Sequence, residues 1–210
     1  MLIRIASVVV VAVAGCGSYT MYQTAEPLPL NRWQLAVAST SGELFDVPQN
    51  TWTPTTGIEL ASRYGVGGDT DVGLKLYSLG AETSVRHRFA AGTWQWAGLL
   101  ALGGVRTRQQ LETTDAFTAH LRVAAAITRR LRPRFALTFG PALTGSLFVP
   151  AGGGSAAGLL LGAFGNAEWS FGETARWHLM PEISVHGSVA GDVPVEGAVV
   201  MGGLAFSRDF

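Results

Sequence analysis

The feature that most constrains the fold is an alternation of apolar and polar residues that recurs along the chain beyond residue 31. Successive side chains of a β-strand point to opposite faces, so a period of two is typical of a strand with one apolar face. In the sixth such segment Phe117 and Leu121 share one face, and His120 and Arg122 share the other. With the turn signals between segments, the pattern predicts about ten strands, with eight and twelve as alternatives. The predicted strands are 32–40, 56–66, 70–78, 81–90, 94–103, 116–128, 134–145, 156–171, 177–187 and 195–207.

The composition argues against an ordinary soluble domain. Charged residues make up 14% of the chain and hydrophobic residues 48%, whereas roughly 25% of residues are charged in a typical soluble protein. No apolar run beyond residue 16 approaches the ~20 residues of a spanning helix. A closed barrel pairs every backbone group within its sheet and turns an apolar face to lipid. We therefore predict an all-β protein, a closed antiparallel up-and-down transmembrane barrel over residues 32–210.

The connections between predicted strands alternate in length, as in barrels with short periplasmic turns and longer outer loops. The short connections are 67–69, 90–93, 129–133 and 172–176; the longer ones are 41–55, 104–115, 146–155 and 188–194, with one short exception at 78–80. Aromatic residues gather at the short-turn ends, which predicts an interfacial girdle. The girdle tryptophans are Trp33, Trp94, Trp96, Trp169 and Trp177, and Tyr77, Phe117 and Phe148 would mark the opposite rim.

Over residues 32–210 these features resemble those of small bacterial outer-membrane β-barrel proteins. The resemblance implies two partners, namely outer-membrane lipid and the barrel-assembly machinery, which would recognise the final strand ending at Phe210. Arg208 departs from the pattern, because an apolar residue usually stands there. The zero net charge indicates no nucleic-acid partner, and we predict neither a cofactor nor a metal; the sequence does not decide the oligomeric state.

The first residues resemble a lipoprotein signal. Arg4 precedes an apolar run that ends in Val13-Ala14-Gly15-Cys16, which is similar to a lipobox and has the length of a signal-peptide h-region. The resemblance implies that residues 1–15 are removed and that Cys16 is lipidated. Residues 16–31, which show no period, are then expected to form a flexible tether from an anchor on the periplasmic side of the outer membrane.

The polar strand faces carry a balanced set of charges, which we predict to fill the lumen as pairs. If the turn at 78–81 has four residues, Asp71 faces Arg88 across the ladder. Buried charges are costly unless paired, and an ion-selective pore favours one sign. This pattern predicts a structural, surface-binding or narrow-passage role without a wide channel. The predicted lumen network is Glu59, Arg63, Asp71, Lys75, Glu82, Arg86, Arg88, Arg122, Glu168 and Glu182.

Two alternatives stay open beside this non-enzymatic interpretation. The first is a soluble, lipid-anchored periplasmic barrel whose apolar faces point inward around an apolar ligand. The second is an outer-membrane lipid A hydrolase, because His186-Gly187-Ser188 resembles the His-x-Ser of lipid A deacylases. That resemblance would make Ser188 the nucleophile, His186 the base and Glu196 the acid, although Val189 stands where that family has asparagine.

Overall fold

A computed structural model of the chain forms a closed barrel of ten antiparallel strands, in which each strand pairs with its neighbours in sequence and β1 pairs with β10. The structure describes residues 19–46, 50–77, 80–108, 115–191 and 197–210. Within these ranges no helix is long and apolar enough to cross a membrane. The strands are β1 (Trp33–Asp46), β2 (Thr51–Gly67), β3 (Thr70–Tyr77), β4 (Gly80–Ala90), β5 (Gln95–Arg108), β6 (Asp115–Arg132), β7 (Phe135–Pro150), β8 (Ala156–Phe171), β9 (Trp177–Gly191) and β10 (Gly197–Asp209). The predicted fold class is confirmed.

The apolar faces of the strands point outward and the polar faces point into the barrel. On β6, Val123 is 50% exposed, whereas the neighbouring Arg122 is 1% exposed. Ile183 on β9 is likewise exposed, and Glu182 beside it is buried. This orientation is opposite to the one required by the soluble alternative, in which the apolar faces would line an internal binding cavity.

The register between β3 and β4 differs from the predicted one. Tyr77 pairs with Gly80, so Asp71 lies opposite Arg86, and the predicted pairing of Asp71 with Arg88 is wrong. The connection has two residues rather than four, which shifts the ladder by two positions. Because strand side chains repeat with a period of two, this shift keeps both arginines on the inward face but changes the partner of Asp71.

Several strands are longer than predicted. The β1–β2 ladder continues to the pair Asp46 and Thr51, so most of the predicted loop 41–55 is strand. β6 spans 18 residues, whereas crossing a bilayer takes about 9–11. The added residues of β1 and β2 include the apolar Leu44, Phe45 and Trp52, and they lengthen the ladder at the loop end.

The strands meet their connections at two ends of the barrel. We call the end that holds the start of β1 and the connections 68–69, 91–94, 133–134 and 172–176 the turn end. The opposite end, with the connections 47–50, 78–79, 109–114, 151–155 and 192–196, is the loop end.

The barrel lumen as the candidate functional site

Residues 19–31, here called the luminal segment, run inside the barrel as far as residue 28 and leave it at the turn end, where Leu30 is 60% exposed. Thr20 and Ala25 are fully buried, and Met21 packs among alanines and Phe164 of the inner wall. The expectation of a flexible tether over 16–31 is therefore wrong for residues 19–31, while Cys16 and residues 1–18 lie outside the described part of the chain. The absence of periodicity, which predicted a tether, arises because this segment pairs with side chains of the wall and not with a neighbouring strand.

At the turn end, the backbone of the segment is held by strand groups. The amide of Asn31 donates to the carbonyl oxygen of Gly65 at 2.9 Å. The amide of Leu28 donates to Asp71 Oδ2 at 2.9 Å. Gly65 is needed here because a Cβ at this position would lie 2.0 Å from the carbonyl oxygen of Pro29. The backbone of the segment therefore passes directly over the barrel wall.

Deeper in the lumen, Glu182 is the main anchor of the segment. Its two carboxylate oxygens accept hydrogen bonds from the amides of Met21 and Tyr22, each at 2.5 Å, and Asn166 Nδ2 donates to the same group at 3.3 Å. Glu182 was predicted to pair with a base, but its hydrogen bonds go to these uncharged donors. Beyond it, the ring of Tyr19 lies 5.0 Å from that of His186.

Asp71 forms the tightest charge cluster in the lumen. It is 0% exposed and accepts from the guanidinium groups of both Arg63 and Arg86, with Arg63 Nη2 at 2.5 Å and Arg86 Nε at 3.2 Å. Arg86 Nη1 also donates to the carbonyl oxygen of Thr24 at 2.6 Å. The carboxylate of Asp71 on β3 therefore links β2 and β4 to the luminal segment.

A second cluster is centred on Glu82. Lys75 Nζ lies 3.2 Å from Glu82 Oε1, while Arg122 Nη1 and His120 Nε2 lie 3.5 and 3.0 Å from Oε2. Lys75 also lies 3.9 Å from Glu59. Charges taken from different strands are thus compensated within the lumen, which lowers the cost of burying them.

The last two residues of the predicted network lie near the turn end. Arg88 pairs with Asp69 in the β2–β3 connection, where both side chains are partly exposed. Glu168 lies 3.3 Å from His178 Nδ1, and His178 Nε2 lies 3.1 Å from Asp209. The partners Asp69, His178 and Asp209 lie near the turn end, and the predicted charge network did not include them.

Sequence reasoning also missed the ion pair between Glu26 and Arg130, which ties the segment to β6. Gln95 Nε2 donates to the same carboxylate at 2.7 Å. One signal was available: Glu26 is the single charged residue between positions 17 and 31. An isolated charge in an otherwise neutral segment indicates a specific partner more than a solvated tether.

The luminal segment leaves little free volume at mid-barrel. A cavity of about 40 Å³ lies beside it, lined by residues that include Met21, Glu59 and Lys75. A buried water needs about 10–15 Å³ measured this way, so the cavity has room for a few waters. Toward the turn end the lumen widens to a space of about 610 Å³, bordered by charges of both signs such as Glu26 and Arg130.

The predicted girdle tryptophans surround the turn end on the outer surface. Rings meet in pairs across neighbouring strands, such as Trp33 with Tyr64 at 4.7 Å and Phe135 with Trp169 at 4.8 Å. The guanidinium of Arg208 lies over the ring of Trp177 at 4.7 Å, which accommodates a base on the outward face of the last strand. The five tryptophans are Trp33, Trp94, Trp96, Trp169 and Trp177.

At the opposite rim, Phe117 is 50% exposed near the loop end of β6 as predicted, whereas Tyr77 differs from the prediction. Tyr77 is buried in the lumen because its position in β3 has the parity of Asp71 and Lys75. The exposed Trp52 instead stacks near Phe45 at 4.8 Å and marks the loop end.

Of the three residues of the hydrolase alternative, the structure describes His186 and Ser188. His186 is 1% exposed, and no hydrogen bond joins its ring to Ser188 among the described residues. A Ser–His pair relies on a hydrogen bond between the two side chains to activate the nucleophile; Glu196 lies outside the described residues. No group of three or more metal-ligating side chains comes together in the described part of the barrel.

Comparison with known proteins shows likeness in fold. No protein-family model matches the chain. No curated protein matches it. The translocator domain of the autotransporter NalP from Neisseria meningitidis is similar over 87% of this chain and 90% of that one, with a TM-score of 0.52 and 10% identity. Neisserial surface protein A matches over 85% and 95% of the two chains (TM-score 0.48, 10% identity), and Ail of Yersinia pestis over 86% and 99% (TM-score 0.42, 12% identity). At these identities the likeness extends to the fold alone.

Proposed function

We propose that this protein is a bacterial outer-membrane barrel that is closed by its own luminal segment and acts as a structural or surface-binding protein without forming an open channel. The observation that carries the proposal is the hydrogen bonding of residues 19–31 to the inner wall. Glu182, Asp71 and Thr128 each accept from a backbone amide of the segment. A segment bound at several depths does not leave the lumen without breaking buried hydrogen bonds, each worth about 0.5–1.5 kcal/mol net and more where a charged group takes part.

The outer surface supports a location in a membrane. Large apolar side chains such as Leu60, Val123 and Ile183 are about half or more exposed on strands that face away from the lumen. In water this belt would be an exposed apolar surface encircling the barrel, which soluble proteins avoid. In a bilayer it meets the acyl chains, and the tryptophans of the turn end lie at the interface. The fold shared with the NalP translocator domain agrees with this placement.

A non-enzymatic role is supported by the geometry of the one hydrolase candidate. His186 is 1% exposed and its ring lies against that of Tyr19 inside the lumen, whereas the acyl chains of a membrane lipid would lie outside the barrel. Within each charge cluster of the lumen, acidic groups pair with basic groups, and some of these groups also bind the luminal segment. This arrangement is expected of groups that stabilise a closed barrel.

Conductance of the purified full chain in planar lipid bilayers tests the proposal. We expect the full chain to give no stable conductance steps, and a variant lacking residues 20–28 to give ion-conducting steps. Folding of both proteins is checked by gel mobility in SDS with and without boiling, since membrane barrels keep their structure in cold SDS. Equal conductance of the two folded proteins would contradict closure by the segment.

A point variant provides a second measurement that does not depend on the deletion folding. Glu182→Ala removes the acceptor for the amides of Met21 and Tyr22 while leaving the chain length unchanged. We expect it to give intermittent conductance. A folded Glu182→Ala protein that stays as silent as the full chain would contradict the anchoring of the occluding segment at Glu182.

A further inference from the structure

The direction in which the luminal segment runs has a consequence for where the preceding residues lie. Along β3, which starts at the turn end, the amide of Leu28 donates to Asp71 at 2.9 Å, whereas the carbonyl oxygen of Thr20 accepts from Lys75 at 3.0 Å. Moving from residue 28 to residue 20 therefore means moving from the turn end toward the loop end.

The contacts of β9 give the same direction independently. Glu182, at mid-strand, binds Met21 and Tyr22. His186, four residues nearer the loop end, contacts Tyr19. Four strand residues correspond to about 13 Å, so the segment advances along the lumen in an extended form.

Tyr19 lies close to the loop-end opening. Its ring packs against the cluster of Leu160, Val199 and Met201, beside Leu44. Leu44 and Val199 each lie two residues from the loop end of their strands, β1 and β10. Two strand residues span about 7 Å, so the opening is within reach of a chain of a few residues.

The turn end is out of reach from the same point. The strand path from His186 back to Trp177 is about 30 Å long, or roughly 21–25 Å along the barrel axis at a tilt of 35–45°. Cys16 is three residues from Tyr19, and three residues extend to at most about 11 Å. The wall also offers no lateral exit, because β1 and β10 close the sheet.

We propose that the chain preceding Tyr19 leaves the barrel at the loop end, so that the N-terminal end of the processed protein, with any lipid on Cys16, is displayed on the outer side of the membrane. This inference rests on the proposed function, because in an outer-membrane barrel the end of the short turns faces the periplasm and the end of the longer loops faces outward. It reverses the expectation of an anchor on the periplasmic side.

The test compares three epitope tags, each inserted singly into the full chain and detected by antibody on intact and on permeabilised cells. One tag stands between Gly17 and Ser18, one follows Gly68 at the turn end, and one follows Gly152 at the loop end. We expect the first tag to bind antibody on intact cells, as the Gly152 tag does, while the Gly68 tag binds only after permeabilisation.

The outcomes separate the two proposals. If the N-terminal tag shows the accessibility of the Gly68 tag, the routing through the lumen is overturned while the membrane barrel stands. If the Gly68 and Gly152 tags are equally accessible on intact cells, the membrane placement itself is overturned, and the outward display falls with it. Each tagged protein is first shown to keep its heat-dependent gel mobility, so that a misfolded insertion is replaced by one at a neighbouring residue.

The lipid is tested by metabolic labelling with an alkyne fatty acid in the untagged protein and in Cys16→Ser. Label in the first protein and its loss in the second are expected. Equal label in both, or label in neither, would overturn the assignment of the lipid to Cys16. When Cys16→Ser is combined with the tag between Gly17 and Ser18, we expect the tag to stay accessible on intact cells, because the path through the lumen and not the lipid determines the side of the membrane. Loss of that access would contradict the routing.

Discussion

Replacing Asp71 by asparagine should destabilise the barrel more than any other single loss of charge in the lumen. Asp71 is fully buried and compensates Arg63 and Arg86, which are 7% and 4% exposed. Asparagine has nearly the same shape but leaves two buried guanidinium groups without a counter-charge, and only one oxygen remains for their donors and for Leu28. Removing one partner of a buried ion pair costs about 3–5 kcal/mol.

Urea unfolding of the refolded protein in detergent micelles measures this loss. With a slope of about 1–3 kcal/mol per molar urea, a loss of 3–5 kcal/mol lowers the midpoint by about 1–5 M. The matched control is Asp69→Asn, because Asp69 also pairs with an arginine, Arg88, but its side chain is 52% exposed. Its loss should cost about 0–1 kcal/mol, and asparagine accepts the positive φ of 58° at this position.

Equal midpoint shifts in the two variants, or an Asp71→Asn protein as stable as the parent, would contradict the compensation of Arg63 and Arg86 by Asp71. Either result would mean that the Asp71 cluster is solvated and does not contribute to the stability of the closed lumen. A lower midpoint for Asp71→Asn, accompanied by conductance steps, would instead connect the cluster to the position of the luminal segment.

Three other variants test separate parts of the molecule. Gly65→Ala brings a Cβ to 2.0 Å from the carbonyl oxygen of Pro29 and should give ion conductance in planar bilayers. The control Gly152→Ala, whose Cβ would have no atom within 4 Å, should give none. Identical conductance traces from the two variants would contradict the packing of the segment. Val123→Arg places a charge midway along the outward face of β6, at a cost of about 2–4 kcal/mol in the bilayer. The yield of folded protein, recognised by a gel mobility that changes on boiling, should therefore fall. An unchanged yield would mean that this face does not meet lipid. Arg208→Ala removes the contacts of the guanidinium with the rings of Trp177 and Phe210. It should lower the free energy of unfolding in the same urea titration by about 0.5–1 kcal/mol. An unchanged or higher midpoint would be the contrary result.

Much of the fold could be predicted because strand alternation is a local property. Which of two neighbouring residues faces the lumen follows from parity, so Arg122 and Val123 could be assigned to opposite faces from the sequence alone. The girdle tryptophans could be found in the same way, because each lies at the boundary of an alternating segment. Parity does not identify partners, however. Asp71 was placed on the correct face but paired with the wrong arginine, since the register depends on the length of one turn.

The route of residues 19–31 was decided only by the tertiary structure. These residues carry no period, because Met21 contacts β9, Ala25 contacts β6 and Leu28 contacts β3. Such contacts join positions far apart in sequence, and they exist only after the ten strands have closed. The sequence by itself determined a barrel with an apolar exterior and a charged interior, because a strand side chain has only two directions to point. Closure of the lumen and the course of the segment toward the loop end depended on the shape of the space that those strands enclose.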